Sequence, residues 1–377
     1  MKEIKNSYRM GELFSGPGGI ALGADMASID APEIGTVKIK HEWANDIDPD
    51  TCDTYRKNIE ISPNKVICED VRKLEIDRLP AIDILSFGFP CNDFSIVGEQ
   101  KGTDGIYGPL YSYGIKVLHK HQPLCFFAEN VSGLRNANDG KDFKKILDDM
   151  FDAGYDVFPH LYKFDEYGIP QSRQRLIIVG LRKDLGLRYR VPKPARIMRT
   201  CKEAIEEPPI PKDAANNERT AQSQMVVERL RHINPGENAF NANMPEHLRL
   251  NVQGAKLSQI YRRLDPDKPA YTLTGSGGGG THMYHWSEDR ALTNRERARL
   301  QTFPDRFVFH GGRESVRKQI GMAVPPEGAR IIFEAILKTL NGMDYECEGS
   351  SIPEMTHRAS PEEHMTPRTA AAVSGQL

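Results

Sequence analysis

The first half of the chain alternates short apolar runs with amphipathic stretches. Tyr8 to Phe14, Val37 to Trp43, Lys65 to Cys68, Ile82 to Phe87 and Leu124 to Ala128 read as strands. Between them, Gly18 to Met26, Pro49 to Asn58, Tyr111 to His121 and Asp142 to Ala153 read as helices. Repeated β-α-β units predict an α/β fold with a mostly parallel, doubly wound sheet, in which ligands sit beyond the carboxyl ends of the strands. One more strand, Leu176 to Gly180, precedes a change of character. Residues 185 to 260 are rich in Pro, Asn and Arg and only weakly periodic, which predicts a smaller, loop-rich second domain. Gly275 to Gly280 suits either a flexible linker or a backbone that closely approaches a partner. Thr293, with Glu296 three residues on, predicts a capped helix, and Gly328 to Leu340 predicts a last apolar helix that returns to the first domain. The expected boundaries are 1–184 plus 315–345 for the first domain and 185–314 for the second. Residues 346–377 have little apolar content and are expected to form a disordered tail.

Composition narrows the setting. A chain of 377 residues can bury a full α/β core. It has no apolar run long enough to span a membrane, and Met1 to Asn6 lack a signal-peptide core. Six scattered cysteines without a Cys-x-x-Cys pair argue against a zinc site or a disulfide framework and for a reducing, cytoplasmic location. The net charge is −2, so a nucleic-acid partner requires a local basic patch. Arg182, Lys183, Arg188, Arg190, Lys193, Arg196, Arg199 and Lys202 form one, opposed only by Asp184. They are expected to hold phosphates, with binding that weakens as salt rises. A solvated strand and linker is the plainer reading of the same charges.

Two places suggest chemistry. Cys91 follows Pro90 at the end of the apolar run Ile82 to Phe89, ahead of a loop punctuated by Gly98, Gly102, Gly105 and Gly108. On this stretch alone, a nucleophile at the mouth of a strand and a buried structural thiol fit equally well. The second place is the turn Phe14-Ser15-Gly16-Pro17-Gly18-Gly19, between the first strand and the first helix. It matches neither the dinucleotide spacing nor a phosphate loop. Asp46 and Asp70 stand at the ends of the next two strands, suited to ribose hydroxyls and to an adenine amino group. A glycine turn with two acidic strand ends fits an adenosine without phosphates, and S-adenosyl-L-methionine meets that description. Singly, either aspartate reads as a helix cap or a surface charge.

From about residue 9 to residue 340 the chain resembles the cytosine-5 DNA methyltransferase family, prokaryotic or phage type. The resemblance rests on motifs in family order. Phe14 to Gly19 resembles the cofactor loop, and Pro90-Cys91 with Phe94-Ser95 the nucleophile motif. Glu129-Asn130-Val131 resembles the base-binding acid motif, and Gln171-Ser172-Arg173-Gln174-Arg175 the Gln-x-Arg-x-Arg motif. Arg295 to Pro304 and Gln319-Ile320-Gly321 resemble the C-terminal motifs. The departures are Glu12 for Asp, Asn92 for Gln and Met322 for Asn. Ile47 stands where many members stack an aromatic ring on adenine.

The resemblance implies a Rossmann-like S-adenosylmethionine-dependent methyltransferase domain with a target-recognition domain. It implies cofactor contacts at Phe14, Ser15, Gly16, Gly18, Gly19, Asp46, Ile47, Asp70 and Leu110, and catalytic roles for Cys91, Glu129, Asn130, Arg173 and Arg175. Cys91 would add to carbon 6 of cytosine, Glu129 would hydrogen-bond ring nitrogen 3, and Asn130 would orient the Pro90-Cys91 backbone. Arg173 would favour the thiolate and hold the base. The target base must be flipped out of the duplex, and Ser95 to Leu110 is the expected lid. Arg173 and Arg175 alternate along one strand, so both are expected on one wet, anion-facing side, with internal salt bridges as the alternative. Arg219, Arg229, Arg231, Arg249, Arg262 and Arg263 are the candidate base-contacting arginines.

The function expected is sequence-specific methylation of double-stranded DNA by a monomer, as an orphan or beside a cognate restriction endonuclease. A tRNA methyltransferase and a non-catalytic DNA-binding regulator on the same fold are the alternatives.

Overall fold

Strands that are apolar on both sides need cover on both sides. The computed structural model describes residues 5–32, 34–90, 110–251, 258–275 and 279–356. Its strands are β1 (Ser7–Leu13), β2 (Ser28–Ala31), β3 (Gly35–Asp46), β4 (Val66–Cys68), β5 (Ile84–Gly88), β6 (Cys125–Val131), β7 (Tyr155–Lys163), β8 (Gln171–Ser172), β9 (Gln174–Arg182), β10 (Val191–Pro192), β11 (Ala270–Tyr271) and β12 (Cys347–Glu348). Its α-helices are α1 (Gly19–Met26), α2 (Pro49–Asn58), α3 (Tyr111–His121), α4 (Lys141–Asp152), α5 (Cys201–Glu206), α6 (Gln224–Arg231), α7 (Asn294–Leu300), α8 (Arg313–Met322) and α9 (Pro326–Leu340). None of the described helices is long and apolar enough to cross a membrane.

The main sheet has eight strands in the order β2-β3-β1-β5-β6-β9-β7, with β4 beside the second half of β3. Strands β3, β1, β5 and β6 run parallel. The expected doubly wound sheet therefore holds at the centre, while β2, β9 and β7 each lie antiparallel to their neighbour. Period-2 alternation splits each central strand between two cores. In β6, Cys125 and Phe127 join the core of α1, α8 and α9, whereas Phe126 and Ala128 join that of α3 and α4. In β9, Ile177, Val179 and Leu181 oppose Leu176 and Ile178 in the same way. Helix α1 lies so close to α9 that a Cβ on Gly23 would stand 2.5 Å from the Cβ of Ala329.

Two expectations need correction. The sequence reading placed no strand at 155–163, yet β7 forms the sheet's edge. Pro159 lies within it, and an edge strand tolerates a residue without an N–H. The expected tail also begins too early. Ser350 Oγ donates to the Pro159 carbonyl (2.6 Å), Leu161 N–H donates to Ser351 Oγ (2.9 Å), and Ile352 is fully buried. Cys347–Glu348 pairs with Val191–Pro192. An open strand edge presents unpaired backbone groups, and residues 347–352 cover one. The rest of the expected tail, 357–377, lies outside the described residues.

The expected second domain is tied to the first at both ends. Tyr189, Cys201, Ile205, Leu292 and Phe303 all belong to the core of α1 and α9. Among the described residues a smaller cluster from Leu230 to Ala291, centred on Tyr261 and Tyr284, forms a core of its own, while Leu264, Ala270, Leu273, Met283 and Trp286 of the same span join the first core.

Candidate active site and its relatives

The cofactor-loop candidates lie where β1 meets α1. Three residues there have left-handed backbones: Phe14 (φ 54°), Gly16 (φ 55°) and Gly18 (φ 95°). The turn is held from below. Ser15 N–H donates to the Asn45 carbonyl (3.0 Å) and Gly16 N–H to Asp46 Oδ2 (2.9 Å). Asp46 also accepts from Asp48 N–H (3.0 Å), and burial pushes its carboxyl above the ordinary range against these two bonds. A Cβ on Gly19 would meet the Val324 carbonyl oxygen at 2.5 Å, so glycine there lets the first helix turn pack on the α8–α9 junction. Ile47 is 65% exposed at the end of β3. Ser15 Oγ is buried without a hydrogen-bond partner among the described residues.

Asp70 departs from expectation. Its carboxylate is clamped by Arg72 (Nε to Oδ2, 2.9 Å) and caps its own turn through Arg72 N–H (2.9 Å). Those bonds hold its pKa down at about 2. Asp70 is thus engaged locally, as the helix-cap reading has it. Leu110 opens α3 and, like Phe14, packs half-buried on the α3–α4 core.

The second cluster stands at the ends of β5, β6 and β9. Glu129 pairs with Gly88 across β5–β6, and a Cβ on Gly88 would lie 3.2 Å from Glu129 Oε2. Arg175 Nε reaches Glu129 Oε1 at 2.9 Å. Burial pushes the Glu129 carboxyl above its ordinary range, opposed by Arg175 and then by Arg173. Asn130 is buried, and its Nδ2 donates to the Phe89 carbonyl (3.2 Å) while its Oδ1 accepts from Val131 N–H. It therefore grips the chain two residues before Cys91. Cys91 and residues 92–109, including most of the expected lid, lie outside the described residues.

The two arginines of the Gln-x-Arg-x-Arg segment do not share a wet face. Arg173 precedes β9, so strand alternation does not relate it to Arg175. It is fully buried, and its guanidinium donates to the carbonyls of Leu273 (3.0 Å) and Gly321 (3.1 Å). Arg175 is the one that meets Glu129. Gln171, which opens the motif but had no role assigned to it, is also fully buried, accepts from Leu273 N–H (3.0 Å) and donates to the Leu300 carbonyl (3.3 Å). Its place in a motif was the available signal; its partners were not legible. The turn after β11 and α8 press together here, since a Cβ on Gly321 would stand 2.3 Å from the Thr274 carbonyl.

The basic residues divide in a similar way. Arg263 is buried and donates to the carbonyls of Leu230 (2.8 Å) and His285 (2.7 Å), as well as pairing with Asp289. Arg229 donates to the Leu248 carbonyl and Arg249 to that of Met244. Arg262 lies over the Tyr271 ring. Arg219 pairs with Glu288 and Arg231 with Asp289. The reading of Arg263 as a base contact is thereby corrected: its donors are spent on backbone carbonyls and on Asp289. In the 182–202 patch, Arg182, Arg190 and Lys193 pair with Asp184, Asp344 and Glu346. Arg188, Arg196, Arg199 and Lys202 are exposed, with no ion pair among the described residues.

Known proteins resemble this chain over most of its length. The family model for C-5 cytosine-specific DNA methylase matches residues 8–338. The Type II methyltransferase M.BbvI of Brevibacillus brevis is 58% identical over 349 residues, covering 90% of this chain and 93% of that protein. The Type II methyltransferase M.NgoFVII of Neisseria gonorrhoeae is 39% identical, covering 89% and 88%. A crystal structure of a putative DNA modification methyltransferase encoded within an Escherichia coli prophage superposes with a TM-score of 0.69 at 25% identity, covering 89% of this chain and 99% of that one. Motif order, sheet topology and relatives agree, and the chain belongs to the C-5 cytosine-specific DNA methylase family.

Proposed function

We propose that this chain transfers a methyl group from S-adenosyl-L-methionine to carbon 5 of a cytosine flipped out of duplex DNA, as the modification enzyme of a type II restriction-modification system. The observation that carries the reading is the meeting of Glu129, Arg175 and Asn130 at one strand end, with Asn130 holding the backbone that leads into Cys91.

The first-strand turn fits the cofactor. Left-handed Gly16 and Gly18 bring backbone close, Ser15 Oγ is a buried polar atom with its bonding capacity free, and Ile47 offers an exposed apolar surface to a ring. Asp46 spends two acceptor sites on the turn; a carboxylate has about four, so ribose hydroxyls remain within its capacity. Phe14, Gly19 and Leu110 complete the candidate wall. When bound, S-adenosylmethionine supplies an electrophilic methyl group.

Carbon 5 of cytosine is a poor nucleophile, and covalent catalysis is the remedy. The Cys91 thiolate forms a bond to carbon 6, and the displaced electron pair is taken up as ring nitrogen 3 accepts a proton from Glu129. Burial raises the Glu129 carboxyl toward its protonated form, and Arg175 holds it in place. Carbon 5 is then electron-rich enough to take the methyl group. Loss of the carbon 5 proton to a base expels the thiolate, and return of the nitrogen 3 proton to the Glu129 carboxylate restores the neutral aromatic ring. Asn130 positions the nucleophile's backbone. Arg173 braces the segment that carries Arg175 by tying it to Leu273 and Gly321. The lobe between Leu230 and Ala291 is the target reader in this scheme.

The test uses a duplex containing 5-fluorocytosine, which has no carbon 5 proton to lose. Full-length protein with S-adenosylmethionine is expected to form a covalent adduct on it. Cys91→Ser should form none while still retarding the duplex in a gel. Methyl label appearing in tRNA but not in duplex DNA overturns the reading.

A further inference from the structure

Behind the turn that follows β11 lies a cavity of about 10 Å³, room for about one water-sized oxygen atom. Its walls include Tyr271, Thr272, His282, Arg297 and Arg317. Arg297 is 5% exposed. Among the described residues its guanidinium has neither a hydrogen-bond acceptor nor a carboxylate at ion-pair distance. The carboxylate nearest in sequence, Glu296, is already engaged by Arg290 (2.7 Å) and by Thr293 N–H (2.7 Å). Arg317 is 8% exposed and pairs with Glu314 through one nitrogen, while its Nε is buried without a partner. His282 accepts from Arg317 (3.3 Å), and burial, then the Arg317 and Arg297 guanidiniums, push its ring below the ordinary histidine range. Burial also pulls Arg297 down to about 10.

A buried charge without a counter-charge is costly. Here one full guanidinium and a second, half-compensated one border the same oxygen-sized space. We propose that this cavity is an anion socket that takes one non-bridging oxygen of a phosphate group, and that in the working enzyme the group is a backbone phosphodiester of the bound duplex. The second half of the statement rests on the proposed function. Its support is position. Thr272 Oγ1 donates to the Ser172 carbonyl (2.6 Å), and Tyr271 pairs with Ser172 across β8 and β11. The socket is therefore bolted to the segment that carries Arg173 and Arg175, and Arg175 meets Glu129, the residue that holds the base in the proposed function.

Duplex binding by the full chain is measured between 50 and 200 mM salt for wild type, Arg297→Gln, Arg297→Lys and Arg317→Gln, with thermal melts to confirm folding. One lost phosphate contact lowers the slope of log affinity against log salt by about 0.9, so Arg297→Gln loses about 3.5-fold less affinity across that range than wild type. Arg297→Lys keeps the slope. If Arg297→Gln does not fold, Arg317→Gln gives the same reading. Unchanged slopes in both glutamine variants overturn the socket's assignment to DNA. Inorganic phosphate that raises the melting temperature of wild type but not of Arg297→Gln, with slopes unchanged, also overturns it and leaves a free-anion site. A wild type that binds no duplex contradicts the proposed function instead, which separates the two failures.

Discussion

The sheet and the lobe from Leu230 to Ala291 are built from different materials. The sheet buries apolar side chains on both faces, with Phe127 stacked on Phe333 at 5.2 Å between ring centroids. The lobe has eight buried residues in its own core among the described residues, and arginines replace the missing apolar mass. Arg263 alone serves the carbonyls of Leu230, His285 and Glu288. Apolar packing is non-directional and tolerates change wherever volume is kept. Hydrogen bonds to orphan carbonyls are directional and fail singly. The part that carries the general chemistry thus sits on the tolerant material. The proposed reader, whose loops must hold one particular shape, is pinned by bonds that each specify a geometry.

Paired deletions break this comparison most sharply. Phe127→Ala is expected to cost about 3–5 kcal/mol and to lower the whole unfolding transition in denaturant melts. Arg263→Ala leaves the His285 carbonyl without its donor and takes one donor each from the Leu230 and Glu288 carbonyls, which keep the N–H of Ile233 and of Arg290; it should cost about 1–3 kcal/mol, but locally. Hydrogen exchange should rise between residues 224 and 291 while β5, β6 and β9 stay protected. Exchange rising equally across both regions would show that they unfold as one unit and dissolve the distinction.

A second effect comes from Glu12, a carboxyl buried in β1 below the turn between β1 and α1. Glu12 is 1% exposed, accepts from Tyr55 Oη (3.1 Å), and burial pushes its pKa to about 8. Its folded value exceeds the unfolded one, so its stabilisation is complete below about 4.5 and declines as pH rises toward 8. Glu12→Gln removes that slope. The variant should gain on wild type from pH 5 to pH 9 by up to about 4 kcal/mol, read as diverging melting temperatures. Parallel curves for the two proteins would contradict it.

The smallest effect sharpens the contrast between arginines that brace and arginines that bind. Arg199 is exposed and has no ion pair among the described residues. Arg199→Gln should leave stability within about 0.5 kcal/mol and lower the salt slope of duplex binding by about 0.9. A drop in stability with an unchanged slope would place Arg199 among the braces.

By itself the sequence determined the local and the periodic. Helices at Pro49–Asn58 and Tyr111–His121 have the expected ends, and Thr293 with Glu296 forms the predicted capping box. These rest on neighbouring residues, so a short window contains their cause. The motif order fixed the family for a similar reason, since each motif is a continuous stretch. Tertiary structure decided what depends on distant partners. β7 became legible only as an edge, because its cover comes from Ser350 and Ser351, almost two hundred residues away. Which of Arg173 and Arg175 meets Glu129 turned on the break between β8 and β9, and on carbonyls that Leu273 and Gly321 leave open. An arginine's charge is written in the chain; whether a carbonyl, a carboxylate or an empty cavity receives it is settled only when the elements pack, because orphan acceptors are created by packing.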